Sequence, residues 1–210
     1  MITVLIADDH DIVREGLKQI VSETGDIVIG GEARTGGEAL ELARRGKWDV
    51  VVLDLNLPDR PGLDVLAQMK SMAPALPVLI LTMHQHVSYA SRALKAGAAG
   101  FISKDTAREH LVMAIRRIAR GERYLTPAFA ETLAFELMDG SGRARHETLS
   151  EREFQILCLI AAGKPPRAIA AELNVSVKTV GTHRSRLLQK MGLKNNAELV
   201  QYAIRNHLLP

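Results

Sequence analysis

Apolar positions in the first 120 residues alternate between two periods. Five runs rich in branched aliphatic residues recur: ITVLIA (2–7), IVIGGEA (27–33), DVVVLDL (49–55), PVLILTM (77–83) and GFIS (100–103). Between them the apolar residues fall three and four apart. Ile12, Leu17, Ile20 and Val21 mark the first such stretch, Ala39, Leu40, Leu42 and Ala43 the second, and Leu63, Leu66, Met69 and Met72 the third. Ala90, Ala93 and Leu94 mark the fourth, and Leu111, Ile115 and Ile118 the last. Strands apolar on both faces, alternating with amphipathic helices, predict a five-stranded doubly wound parallel α/β sheet covered on both sides. The connections agree, with Gly46 closing the second helix, residues 58–62 turning the chain after the third strand, and Gly97 ending the fourth helix.

Beyond Gly121 the strand pattern stops. An apolar helix near 127–138 leads into DGSGRARHE (139–147), a Gly-rich charged stretch that reads as a flexible connection. Ser150 with Glu153 forms a capping-box signature for a helix through Ala162, ended by Gly163. Pro165 or Pro166 opens a second helix through Leu173, ended by Asn174. Ser176 caps a third to about Met191, and Asn195 with Glu198 caps a fourth. The reading is α/β plus all-α: a first domain over 1–121, a helix and linker over 122–147, and a four-helix domain over 148–210.

Composition narrows the class. A hydrophobic content of 47% across 210 residues is enough for two separate cores, and no low-complexity tract points to disorder. The N-terminal MITVLIADDHD lacks the basic start and cleavage pattern of a secretory signal, and no apolar run is long enough to span a bilayer. The single Cys158, among Ile156, Leu157, Leu159 and Ile160, reads as a buried structural thiol. These features predict a cytoplasmic protein with no membrane contact. The net charge of +3 is unevenly placed: residues 1–125 hold 16 Lys+Arg against 16 Asp+Glu, and residues 126–210 hold 11 against 8. Residues 174–197 carry Lys178, Arg184, Arg186, Lys190 and Lys194 with no acid, a stripe that suits either a phosphate backbone or a solvated helix face.

In an open parallel sheet, ligands bind beyond the carboxyl ends of the strands where the strand order reverses. Asp8 and Asp9 follow the first strand, Asp54 ends the third, Thr82 ends the fourth and Lys104 follows the fifth. Three carboxylates drawn together need a cation or shared protons, and an oxygen-only cluster with room for water suits Mg²⁺. Asp8 and Asp9 would hold the metal directly or through water, with the backbone carbonyl of Asn56 completing its shell. A carboxylate can attack phosphorus once metal and cation neutralise the phosphoryl oxygens. Asp54, alone at the centre, is the candidate nucleophile and a further metal ligand. Lys104 would pair with the phosphoryl oxygens and Thr82 would donate its hydroxyl to them. Taken singly, Asp8 and Asp9 read equally well as helix caps and Lys104 as a solvated lysine; the weight lies in five residues at the ends of four strands.

The pattern VLIADDH, VVLDLNLPDRPG, ILT and KAGAAGFISK resembles the receiver domain of two-component response regulators over roughly the first 120 residues. The resemblance implies a flavodoxin-like fold, an Asp54 that accepts phosphate from a sensor histidine kinase, and a switch in which Thr82 and position 101 couple that site to the distal face. Position 101 is Phe101 where many receivers carry Tyr, so the aromatic rotamer has no hydroxyl to anchor it inward.

The segment PPRAIAAELNVSVKTVGTHRSRLLQKMGL reads as helix, tight turn, helix, with Ala168, Ile169, Leu173, Val175, Val180, Leu187, Leu188 and Met191 as its buried stripe. Subtracting the stripe leaves Lys178, Thr179, Gly181, Thr182, His183, Arg184, Ser185 and Arg186 to face the major groove of double-stranded DNA. For His183 a phosphate contact and a partly buried packing role remain equal readings. From Leu149 to Ala203 the chain resembles the LuxR-type helix-turn-helix domain of the NarL and FixJ subfamily, in which the third helix is the recognition helix. Pro165, Pro166 and Gly181 depart from that pattern and bear on base contacts. The combined resemblance implies a phosphorylation-controlled transcriptional regulator rather than an enzyme, a homodimer when phosphorylated, and RNA polymerase as a further candidate partner. The apolar face Leu199, Val200, Ala203, Ile204 and Leu208 would serve either the dimer or the domain's own core. The rivals are a Mg²⁺-dependent phosphatase turning over an aspartyl phosphate, and a DNA-binding regulator that works without phosphate.

Overall fold

The strands of the first unit run parallel to their neighbours, and the central ones are buried on both faces while the edge strand over 27–33 is half open to solvent. In the computed structural model, which describes residues 1–83, 87–127, 129–131, 145–206 and 208, β1 (Ile2–Ala7), β2 (Ile27–Ala33), β3 (Val50–Leu53), β4 (Val78–Thr82), β5 (Gly100–Ser103) and β6 (Tyr124–Leu125) form one sheet in the order β2-β1-β3-β4-β5-β6. The strand direction of growth reverses at β1, so the crevice between the ends of β1 and β3 is the switch point.

The sheet has six strands where the sequence predicts five. β6 is only two residues long and carries no period, so it is invisible to patterning. Tyr124 N donates to Ala99 O at 3.0 Å, and the strand pairs Gly100 with Tyr124 and Phe101 with Leu125. Gly100 makes the approach possible, because a Cβ there would stand 2.7 Å from Tyr124 O.

Among the described residues, five helices cover this sheet: α1 (Asp11–Ser22), α2 (Gly36–Arg45), α3 (Gly62–Met72), α4 (Val87–Lys95) and α5 (Ala107–Ala119). On one face Val4, Ile6, Val52, Leu81 and Ile102 pack with Leu17 and Val21 of α1 and Leu111, Ile115 and Ile118 of α5. Their neighbours Leu5, Val51, Leu53, Ile80 and Phe101 are as deeply buried and point the other way, as strand alternation dictates. Ile12 does not belong to the apolar side of α1 that it was expected to mark. It is 87% exposed, and the inward stripe is Arg14, Leu17 and Val21. Gly46 does end α2, yet with φ −95° rather than a left-handed cap. Its signal is space: a Cβ would lie 2.4 Å from the Trp48 ring, whose Nε1 donates to Leu42 O at 2.8 Å.

The chain divides into two compact units, Met1–Met138 and Asp139–Pro210. The expected helix near 127–138 and the stretch 139–144 lie for the most part outside the described residues. Residues Arg145–Thr148 form a 3-10 turn. After it come α6 (Glu151–Ala161), α7 (Pro166–Glu172), α8 (Val177–Met191) and α9 (Asn196–Arg205). Ser150 and Glu153 make the reciprocal capping box at α6, while Ser176 and Asn195 accept from Thr179 N and Glu198 N to cap α8 and α9. Asn174, at φ +49°, takes the left-handed turn between α7 and α8 that Asn tolerates better than most residues. Phe154, Ile156, Leu157, Ile169, Val180, Leu187, Met191, Leu199 and Ala203 fill the core, and Cys158 is buried as expected.

Candidate functional site

The ends of β1, β3, β4 and β5 deliver Asp8 and Asp9, Asp54, Thr82 and Lys104 to the same edge of the sheet. Main-chain bonds fix two of them: Asp8 N donates to Ala33 O at 3.0 Å and Asp54 N to Ala7 O at 2.8 Å. Asp8 and Asp54 are thereby held 1% and 2% exposed, whereas Asp9 stays open to solvent. Lys104 begins the 3-10 turn Lys104–Thr106, whose start is capped by Ser103 Oγ accepting from Asp105 N. Its Nζ lies 2.6 Å from Asp8 Oδ2 and 2.7 Å from Asp54 Oδ2. Asn56 N donates to Asp54 Oδ1 at 3.2 Å. Beneath Asp54 the chain doubles back, with Gly62 N donating to Leu55 O and an Asn56–Pro61 bridge closing the turn. No side chain fits at Gly62, since a Cβ would stand 2.4 Å from Asp54 O.

Two buried carboxylates share one ammonium, and the electrostatics follow. Burial pushes the Asp54 carboxyl up to about 6; Asp8 adds to the rise, and Lys104 and the Asn56 N–H oppose it. Burial alone would lower the Lys104 pKa, but Asp54 and Asp8 more than offset this and hold the ammonium above its usual value. With Asp9 alongside, the cluster carries more negative than positive charge and calls for a cation. Asp8, Asp9, His10 and Asp54 each offer one ligand atom within 4.8 Å of the others. His10 was not anticipated: its Nδ1 lies 3.1 Å from Asp8 Oδ1 and 2.8 Å from Asp9 Oδ1. A histidine one residue past two acids reads in sequence as a surface side chain; His10 does stay 60% exposed, and the turn after β1 brings its ring against the acids.

Thr82 is fully buried at the end of β4, in register with Ser103. Paired residues of a parallel sheet point to one side, so Thr82, Ser103 and Phe101 share a face. Phe101 is fully buried, and its ring meets that of Phe129 edge-on, with centroids 4.9 Å apart and planes at 78°.

In the second unit, α8 buries Val180, Leu187, Leu188 and Met191, leaves Lys178, Thr182 and Arg186 exposed, and holds Thr179 half-buried. The residues proposed to face DNA are not equally free to do so. Thr182 Oγ1 donates to Lys178 O, Thr179 bonds to the capping Ser176, and Arg184 Nε donates to Asn196 Oδ1 of α9 at 2.6 Å. His183 is half-buried; burial foremost, with Arg152 and Arg186, lowers its pKa, and Glu153 works the other way. Lys190 Nζ lies 2.7 Å from the buried Glu153, so that cation braces α8 against α6. Of the last-helix face, Leu199, Ala203 and Leu208 are core, while Ile204 is 56% exposed.

Comparison with known proteins matches both units. Residues 4–116 match the response regulator receiver domain, and residues 147–203 match bacterial regulatory proteins of the luxR family. The chain is 34% identical to response regulator GacA of Pseudomonas aeruginosa over 210 residues, covering 100% of this chain and 98% of that one. It is 36% identical to the oxygen regulatory protein NreC of Staphylococcus carnosus, covering 98% of each. Among solved structures it is similar to the RcsB response regulator of Salmonella typhimurium, studied for its DNA interaction, at 26% identity and TM-score 0.62, covering 97% of this chain and 98% of that one. The chain therefore belongs to the response regulators that join a receiver domain to a LuxR-type helix-turn-helix domain.

Proposed function

We propose that phosphorylation of Asp54 controls the binding of this chain to promoter DNA. The observation that carries the reading is Lys104 Nζ bridging Asp8 and Asp54, both buried, at 2.6 and 2.7 Å. A lysine so placed orients the Asp54 carboxylate and stands ready to pair with an incoming phosphoryl group. An Asp54 oxygen forms a bond to phosphorus while the bond from phosphorus to the nitrogen of a phosphohistidine breaks, and the donor imidazole leaves with the electron pair. Lys104 then neutralises a phosphoryl oxygen, and the Thr82 hydroxyl donates to another. Asp8, Asp9, Asp54 and the Asn56 carbonyl fit Mg²⁺, an ion that prefers oxygen ligands. When bound, Mg²⁺ supplies positive charge to the phosphoryl oxygens. Asp8 and Asp9 hold it, and Gly62 lets the chain turn tightly enough to present the Asn56 carbonyl.

The receiver is assigned to 1–121, the helix and linker to 122–147 and the DNA-binding domain to 148–210. A sensor histidine kinase supplies phosphate, the phosphorylated chain dimerises on paired half-sites of double-stranded DNA, and RNA polymerase is the downstream partner. No described helix is long and apolar enough to cross a membrane, which supports a cytoplasmic site of action. As the family is one of DNA-binding regulators, the phosphate is expected to reside on the chain's own Asp54 rather than turn over a phosphate ester. The test is labelling by a small phosphodonor with Mg²⁺, followed by binding to DNA selected from a random pool. Label and a rise in DNA affinity are expected for the parent, and neither for Asp54→Asn. Equal labelling of the two proteins would refute the assignment.

A further inference from the structure

Arg14 is an unusual residue for the inward stripe of an amphipathic helix. It is 3% exposed and takes the place on α1 that spacing from Leu17 and Val21 reserves for an apolar side chain. A guanidinium is tolerated there only if its donors are satisfied. They are spent in three directions: NH1 donates to the backbone carbonyl of Asp8 at 2.7 Å, Nε to Glu32 Oε2 of β2 at 3.0 Å, and NH2 to Asp11 Oδ1.

We infer that Arg14 is a positioning residue of the acid site, a clamp that sets the Asp8–Asp9 peptide so that both carboxylates face one cation. The inference rests on the reading of that site as a Mg²⁺ and phosphoryl site, and it adds a residue that never touches either. Asp8 and Asp9 share the peptide whose oxygen Arg14 holds, while Asp8 N is fixed to Ala33 O. With both main-chain groups of Asp8 occupied, the turn after β1 has little freedom to rotate its two acids apart. Only a planar fork can reach Asp8 O, Glu32 and Asp11 together; a lysine ammonium at the same place is a point charge on a flexible stem.

The clamp works through geometry rather than through its charge. Around it Arg14, Lys18 and Arg34 face Glu15, Glu32 and Asp11, with Lys18 Nζ 2.9 Å from Glu32 Oε1 and Arg34 3.2 Å from Asp11 Oδ1. Three cations and three anions balance, and Arg14→Lys keeps that balance, so it leaves the field at Asp54 nearly unchanged while it loses the fork and frees the Asp8 carbonyl.

Outer-shell partners of metal ligands typically carry 10–100-fold of metal affinity, so the expected effect is about tenfold. Mg²⁺ binding to the full chain is measured by isothermal titration calorimetry, with the rate of labelling by acetyl phosphate across Mg²⁺ concentrations and a thermal melt in EDTA. Arg14→Lys is expected to raise the Mg²⁺ dissociation constant about tenfold and to slow labelling at low Mg²⁺, with most of the rate recovered at saturation. Glu32→Ala, which loosens one arm of the fork at a partly exposed residue, is expected to shift the constant in the same direction by less. A merely structural tether would lower the melting temperature of both variants and leave Mg²⁺ affinity at the parent value, which overturns the clamp. If Arg14→Lys does not fold, Glu32→Ala decides by the same criterion. A parent chain that neither binds Mg²⁺ nor labels overturns the acid-site reading itself, and the clamp with it.

Discussion

Phe101 and Phe129 meet edge to face, 4.9 Å between centroids, on the side of the sheet that also carries Thr82. Both rings are buried, and Phe129 lies beyond β6, on the segment that leaves the receiver. An aromatic pair of this geometry contributes about 0.5–1.5 kcal/mol beyond its burial. A double-mutant cycle with Phe→Leu at each position is expected to give a coupling energy in that range by urea denaturation. Phe129→Ala alone should cost about 3 kcal/mol, the low end for a buried ring. A coupling of zero would mean that the two rings are merely neighbours.

Asp54 gives the metal-free protein a pH dependence of defined sign. The unfolded carboxyl ionises near its usual 3.8 and the folded one near 6. Below 3.8 both states are protonated and burial has no ionic cost. Between the two values the folded chain keeps a proton the unfolded chain has lost, so stability falls as pH rises. Above about 6 the full cost is in place, roughly 3 kcal/mol at 1.36 kcal/mol per pH unit. Asp54→Asn removes that cost and leaves Lys104 paired with Asp8. In EDTA the variant is expected to be the more stable at pH 7, with the gap closing toward pH 4. A gap that stays constant from pH 4 to 7 contradicts the shift.

The strand ends were legible because a parallel strand buried on both faces leaves a continuous apolar run, and the first polar residue after it must stand at the edge. That reasoning placed Asp8, Asp54, Thr82 and Lys104 together without any contact being known. It had no hold on β6, where two residues have no period, nor on His10, which is brought to the acids by the turn after β1. Arg14 did leave a trace, since it interrupts the stripe of Leu17 and Val21, but Ile12 disguised it by offering an apolar residue on the wrong side of α1. On the last helix the apolar face divides: Leu199 and Ala203 are consumed by the core, a distinction that depends on what packs beside them.

Gly62 and Gly181 are expected to respond in opposite ways to the same substitution. At Gly62 a Cβ meets main chain, Asp54 O at 2.4 Å and Leu55 Cα at 2.5 Å, which cannot yield as a side chain would. Gly62→Ala therefore moves the Asp54 peptide, costs about 1–3 kcal/mol as overpacking, and depresses labelling. At Gly181 a Cβ meets nothing within 4 Å on an exposed face of α8. Gly181→Ala should stabilise the helix by about 1 kcal/mol. Thermal melts of the two variants check the pair; a stabilised Gly62→Ala would show that the turn beneath Asp54 has room to spare.

Salt dependence separates the cations of α8 that reach phosphate from those that hold the domain. Lys178 and Arg186 are exposed and carry no ion pair among the described residues, whereas Arg184 is tied to Asn196 on α9 and Lys190 to Glu153 on α6. Each phosphate neutralised contributes a slope of about 0.9 to the fall of log affinity with log salt. Lys178→Ala and Arg186→Ala should each flatten that slope by about one and leave the melting temperature near the parent's. Lys190→Ala removes a support of the buried Glu153, whose carboxyl stays below its usual pKa: burial opposes this, but Lys190 and the Ser150 N–H prevail. That variant should lower the melting temperature without changing the slope. If instead Lys190→Ala flattens the slope and Lys178→Ala does not, the DNA-facing side of α8 has been assigned to the wrong residues.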